Sequence, residues 1–212
     1  MSTTLALLAS YLLGAVPFGL VLARVLRGVD LRKVGSGNIG ATNAMRALGK
    51  PLGTLAFVLD CAKGAVPALV FAPHVEARPD LPLLGPVLCG AAAVVGHCFP
   101  VYLRFKGGKG VATACGAIVA IDWPVFVIAG LVWLAFALAL RYVSLASLAM
   151  GVTFPIAAYV RRPDAPTFIV GCAALAALIV VRHRANVGRL LAGTEPRIGA
   201  RKALAQGGGD GR

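Results

Sequence analysis

The chain has 212 residues, and its 21 Lys and Arg against 8 Asp and Glu give a formal charge of +13, yet only 14% of it is charged and 58% is hydrophobic. Soluble domains run nearer a quarter charged. The composition therefore excludes a disordered basic tail, which would lack apolar content, and a nucleic-acid-binding domain, whose basic patch sits on a charged, soluble surface. With a mean hydropathy of +0.83, the chain reads as an all-α, polytopic integral membrane protein.

In chain order the apolar stretches are Thr4 to Ala23, Leu52 to Pro73, Leu81 to Phe99, Val111 to Ile121, Trp123 to Leu140, Val143 to Val160 and Ala165 to Val181. The fourth is short: at about 1.5 Å per residue it reaches only about half of a ~30 Å hydrocarbon core. The basic residues decide whether it crosses. With seven passes and the N-terminus outside, the groups Arg24 to Lys50, Arg104 to Lys109, Arg141 and everything from Arg182 onward fall inside, and only Arg78, Arg161 and Arg162 fall outside. If the short segment does not cross, the two sides nearly balance, which the positive-inside rule disfavours. The expectation is seven transmembrane helices with a cytoplasmic C-terminus. The start has no basic residue before its apolar run, whereas Arg24 and Arg27 follow it, so it reads as a retained first span and not a cleaved leader. Residues 1–196 are expected to form one transmembrane domain, and 197–212, basic and then Gly-rich, a flexible tail.

Cys61, Cys89, Cys98, Cys115 and Cys172 are an odd, scattered set without a Cys-x-x-Cys pair. They are expected as small buried apolar side chains, with no disulfide framework and no metal site.

The unusual polar residues collect in three blocks on the expected inner side. The first runs Gly35-Ser36-Gly37-Asn38-Ile39-Gly40-Ala41-Thr42-Asn43 and continues to Arg46 and Lys50. It contains Gly-x-Gly-x-x-Gly with Asp60 twenty residues beyond, which superficially matches a dinucleotide fingerprint. A Rossmann turn needs a buried strand before it, and here Asp30-Leu31-Arg32-Lys33 precedes, while Asp60 lies inside an apolar run. What remains is general physics: glycines let backbone amides converge on an anion, and hydroxyl and amide side chains add donors. Thr42 or Asn43 is expected to cap a short helix that carries Arg46 and Lys50 on one face.

The second block is Gly96-His97-Cys98-Phe99-Pro100, then Arg104-Phe105-Lys106-Gly107-Gly108-Lys109-Gly110-Val111-Ala112-Thr113. No glycine sits at Leu103, and Gly110 occupies the place of a magnesium-binding hydroxyl, so it is not a nucleotide-hydrolysing loop. Lys106 and Lys109 bracket two glycines before the short fourth segment and place two ammonium groups at a helix N-terminus. The third block is Arg182-His183-Arg184-Ala185-Asn186, followed by Arg189, Thr194 and Glu195; on a continuing helix His183 and Asn186 share a face. Within the second span Asp60 and Lys63 also share a face and are expected to pair or to meet a polar cavity.

These blocks, in this order, resemble the bacterial glycerol-3-phosphate acyltransferases that use acyl phosphate as donor, over everything up to about Glu195. Val187 and Gly188 depart from that family's usual Ile and polar residue. The resemblance implies transfer of a fatty acyl group from acyl phosphate to the sn-1 hydroxyl of glycerol 3-phosphate, without cofactor, metal or nucleic acid, by a monomeric enzyme of the bacterial inner membrane whose site faces the cytoplasm and membrane lipid. By that analogy Ser36, Arg46, His183 and Asn186 bind glycerol 3-phosphate. Lys106 and Lys109, with the amides around Gly107, Gly108, Gly110 and Gly40, hold acyl phosphate. Gly35, Gly37, Asn38, Thr42 and Asn43 shape the pocket, and Lys63 and His97 reach it from the spans. His97, His183 and a substrate phosphate oxygen are all candidates for the proton acceptor. A small transporter for a phosphorylated metabolite is the alternative, but it would show polar residues along several spans.

Overall fold

The computed structural model describes residues 1–199, and among these the secondary structure is entirely helical. The helices are α1 (Thr3–Ala15), α2 (Phe18–Arg27), α3 (Ala41–Leu48), α4 (Lys50–Val66), α5 (Leu84–Cys98), α6 (Val111–Ile121), α7 (Trp123–Leu140), α8 (Val143–Arg161), α9 (Pro166–Arg182) and α10 (Arg184–Leu191). Most of the expected tail, residues 200–212, lies outside the described part.

Four helical stretches are long and apolar enough to span a bilayer, or six when each of two bent pairs counts as one, and Val111–Ile121 is shorter. The expected first span is such a pair: α1 and α2 meet at 40°. Pro17 causes the break, because it has no N–H to donate and biases Val16 toward an extended backbone, observed at φ −62°, ψ 118°. The second bent pair is α9 and α10, which meet at 57° around His183. Immediately after α4, Pro67 again removes a donor at the helix end; here the chain passes through a π-helical turn, Pro67–Phe71, without a break in the stretch to His74. The third span starts at Leu84, later than its hydropathy suggests, because Leu83 takes a left-handed conformation with φ 64°.

α6 is the most enclosed helix. It packs against α4, α5 and α7, and the unbroken run Thr113 to Ile118 is buried. The approach to α4 is a backbone contact: a methyl group on Gly64 would overlap the Thr113 carbonyl, and one on Gly116 that of Cys61. The main core lies between α5, α6, α8 and α9, around Val94, Ile118, Phe154, Phe168 and Ile179. Four cysteines are buried and Cys61 is half-buried, all as free thiols. Leu138, Val160 and Val170 project outward from α7, α8 and α9 and present an apolar belt.

Candidate active site

The first polar loop is organised around one side chain. Asn43 Nδ2 donates to the carbonyls of Leu31, Val34 and Asn38 at 2.8–3.1 Å, and its Oδ1 accepts from the Ser36 amide at 3.0 Å. Asn43 is therefore buried inside the loop and is not a ligand donor. Gly35, at φ 61°, lies against Asn43 Oδ1 where a side chain would collide. Gly37 also turns left-handed, with φ 69°. Asn38 Oδ1 accepts from the Gly40 amide at 2.9 Å, so that amide is not available to an anion either. Gly40, and neither Thr42 nor Asn43, is the N-cap of α3. At the other end, Gly49 at φ 86° closes α3 and Lys50 begins α4, which separates Lys50 from the Arg46 face. Ser36, Thr42 and Arg46 remain exposed at the rim.

Beneath the loop, the Arg32 guanidinium and then that of Arg24 hold the Asp30 carboxyl well below the usual carboxylate range, with contacts of 2.7 and 2.8 Å. Asn43→Ala would take the side-chain partner from the Leu31 and Asn38 carbonyls and the Ser36 amide, and would leave the Val34 carbonyl only the Gly37 amide; at about 1–3 kcal/mol for a buried unsatisfied group, the loop should open. The expected result is faster proteolysis within residues 31–40 while the helical bundle stays intact, measured by limited digestion in detergent.

In the second loop, left-handed Arg104 and Phe105 (φ 50° and 63°) turn the chain back toward α5. The Gly108 amide donates to the His97 carbonyl at 3.0 Å. Gly107 lies against that same carbonyl and Gly108 against His97 Nε2, with no room for a Cβ at either. The loop emerges with Lys106 exposed, Lys109 half-buried and Gly110, at φ 83°, capping α6. Lys109 thus stands beside the unpaired amides of a helix N-terminus.

Lys63 and His97 do not reach this surface. Lys63 is 2% exposed; its ammonium pairs with Asp60 at 2.7 Å and donates to the Val16 carbonyl at 2.7 Å. At the break that carbonyl accepts from the Phe18 amide at 3.1 Å, and the second span supplies a further, charged donor. His97 is 4% exposed, with Nδ1 3.8 Å from Asp60 Oδ1. His97 supports the second loop from behind, and Lys63 ties α4 to the break between α1 and α2, against the expectation that both touch substrate.

In the third block the helix bends at His183, so His183 and Asn186 do not share one continuous helix. His183 Nδ1 lies 2.8 Å from the Ile179 carbonyl; a carbonyl only accepts, so Nδ1 carries the proton and Nε2 is the lone-pair nitrogen. Asn186 Nδ2 and Arg189 Nε donate to the two oxygens of Glu195, each at 2.7 Å. Burial pushes the Glu195 carboxyl up, and hydrogen bonds that include those from Asn186 and Arg189 more than reverse the effect, so it is ionised. Past Glu195 the chain is fastened to the α7–α8 junction: the Ile198 amide donates to the Arg141 carbonyl at 2.7 Å, and the Arg141 guanidinium donates to the Ile198 carbonyl at 2.7 Å. Glu195 was not among the expected site residues, although an acid within a strongly basic block was the available signal.

The three blocks meet electrostatically at Lys109. Burial lowers its ammonium to about 8; Glu195 opposes the shift, and Arg189, Arg46 and Arg182 add to it. His183 is lowered to about 4 by burial and by Lys109, with Arg182 contributing. Arg46 from the first block and Arg182 and Arg189 from the third are thus close enough to repel the Lys109 ammonium of the second, with the neutral His183 ring beside it. Such an array of cations is unfavourable when empty and is relieved by an anion.

The protein-family model described as glycerol-3-phosphate acyltransferase matches residues 4–193. The chain belongs to the glycerol-3-phosphate acyltransferase family. The glycerol-3-phosphate acyltransferase of Rhodospirillum rubrum is 49% identical over 201 residues, covering 93% of this chain and 92% of that protein. The enzyme of the same name from Dinoroseobacter shibae is 46% identical over 195 residues, covering 92% of each. The fold matches the crystal structure of PlsY, an integral membrane glycerol 3-phosphate acyltransferase, in its glycerol 3-phosphate form, with a TM-score of 0.85 at 43% identity over 93% of this chain and 96% of that one. The lysophosphatidic acid form gives a TM-score of 0.83 at 41% identity, over 93% and 95%. The protein is thus a membrane-embedded acyltransferase of this family.

Proposed function

We propose that the protein moves a fatty acyl group from acyl phosphate to the sn-1 hydroxyl of glycerol 3-phosphate, giving 1-acyl-glycerol 3-phosphate and phosphate. The observation that carries this reading is the convergence of Arg46, Lys109 and the His183 block at one rim of an apolar bundle. Both substrates are phosphates, and the donor also carries an alkyl chain that needs lipid beside the site. Charge-assisted contacts of about 1.5–3 kcal/mol each offset the mutual repulsion of two anions. In this assignment Ser36, Arg46, His183 and Asn186 hold glycerol 3-phosphate, and Lys106 and Lys109 hold acyl phosphate.

The acceptor hydroxyl oxygen attacks the acyl carbonyl carbon, and the bond from that carbon to the phosphate oxygen breaks. The phosphate leaves with the electron pair. Acyl phosphate is already activated, so no acyl-enzyme is needed and catalysis is mostly orientation and charge stabilisation. His183 Nε2 accepts a hydrogen bond from the hydroxyl and orients it. A nitrogen whose pKa lies near 4 is a weak base, whereas a phosphomonoester has its second pKa near ~6. The proton therefore moves to a phosphate oxygen of the substrate.

The same reading has seven passes, the N-terminus outside, a single transmembrane domain over residues 1–196 with a solvated tail, and a monomer in the bacterial inner membrane with the site facing the cytoplasm. In support, α6 is shielded by α4, α5 and α7, so a short helix can cross within protein and need not match the lipid thickness. The test is an assay of the purified protein with acyl phosphate or acyl-CoA, each with and without glycerol 3-phosphate. Only acyl phosphate is expected to yield the monoacyl product, with one phosphate released per acyl group transferred. Equal turnover with acyl-CoA would refute the donor assignment.

A further inference from the structure

Neither the expected site nor the proton bookkeeping uses Arg182, the last residue of α9. Its Nε donates to the Gly108 carbonyl at 2.9 Å and its Nη2 to the Gly107 carbonyl at 2.8 Å. The guanidinium also stacks over Phe99, 5.1 Å from the ring centroid. From the opposite side, the His97 carbonyl takes the Gly108 amide, and the His97 ring lies flush against Gly108. The Gly107–Gly108 peptide is therefore held on both faces, and Lys106 and Lys109 project from either end of it. Glycine has no intrinsic backbone preference that would fix this geometry. Two directional bonds from a planar donor do fix it, and an ammonium cannot reproduce them.

We infer that Arg182 is a positioning residue for the acyl-donor loop: its guanidinium clamps the two glycine carbonyls against His97 and thereby sets where Lys106 and Lys109 meet the anion. Because the clamp runs from the helix that ends at His183, it also ties the loop to the block assigned to the acceptor. This rests on the assignment of the Lys106–Lys109 loop to acyl phosphate.

The experiment compares Arg182→Gln, Lys106→Ala and the double variant in steady-state kinetics with both substrates. Lys106 is exposed, so its variant reports which substrate the loop holds. Arg182→Gln is expected to raise KM for acyl phosphate about tenfold or more while moving KM for glycerol 3-phosphate by less than about threefold. The double variant should be little worse than Arg182→Gln alone, since a displaced loop no longer presents Lys106. Arg182→Lys should recover only part of the loss. Phe99→Leu, which removes the stacking and keeps both hydrogen bonds, should give a smaller shift in the same KM, and these two variants carry the test if Arg182→Gln does not fold. If Lys106→Ala instead raises KM for glycerol 3-phosphate, the donor assignment fails while the clamp stands, provided Arg182→Gln follows the same substrate. Full additivity, or an Arg182→Gln enzyme whose KM for the substrate reported by Lys106→Ala is unchanged, overturns the clamp.

Discussion

Lys109→Ala should lower kcat/KM for acyl phosphate about 10²–10³-fold, the range seen when one preorganised donor to a developing charge is removed, while the protein stays folded in detergent. Lys109 is not in a close ion pair; burial acts on it most, then attraction to Glu195, then repulsion from Arg189, Arg46 and Arg182. Removing it therefore relieves repulsion in the empty site and costs stabilisation only when the anion is present. Arg46→Ala should behave alike toward glycerol 3-phosphate. The pH profile gives a second reading of the same residue. The protonated ammonium binds the anion, and its pKa is depressed to about 8, so the binding form predominates below pH 8. As pH rises through 8 that form is lost, and kcat/KM should fall with it. Lys109→Arg should keep activity low but move this alkaline limb to higher pH, because a guanidinium stays charged. Near-wild-type rates for both alanine variants would refute the site.

His183→Asn is the second large effect, with an expected loss of about 10²-fold from misoriented hydroxyl attack. The informative part is what survives. If the substrate phosphate takes the proton, the residual rate should keep the wild-type acid limb near pH ~6, since that limb belongs to the substrate. His183 itself titrates at about 4 and is already neutral there, so its own protonation would appear only in more acidic solution. A variant with no detectable turnover at any pH would show that the imidazole is the base.

Much of the architecture was legible in the chain because hydropathy and length speak directly to a bilayer. The α6 and α7 boundaries, Val111–Ile121 and Trp123–Leu140, coincide with the expected apolar runs. The breaks were not read, because they are backbone events at Pro17 and His183 and leave mean hydropathy unchanged. The three polar blocks were legible as a set, and the electrostatics at Lys109 draws on all of them. Individual roles within them were harder to assign. Asn43 and Asn38 carry the same amide groups whether they bind a ligand or their own loop, and only the fold shows the Asn43 donors and the Asn38 oxygen turned to the loop. Lys63 lies within a span and His97 at the end of one, and spacing along a helix does not say whether they point at a cleft or at a neighbouring helix. Arg182 was visible as one more basic residue at a membrane edge, and its two carbonyl partners lie more than seventy positions away in sequence.

The hydrogen bond between Lys63 and the Val16 carbonyl bears on biogenesis. Asp60 and Lys63 sit in the middle of the apolar stretch Lys50–His74, and each ionised side chain costs about 2.5–3.5 kcal/mol at the centre of a bilayer. The acceptor that helps to satisfy the ammonium is the carbonyl at the C-terminal end of α1, turned out of the helix where Pro17 breaks the first span. α4 should therefore integrate most readily when the kinked arm is already beside it, and a Pro17→Ala chain, by straightening that arm, should show its defect in the membrane insertion of a segment it does not alter.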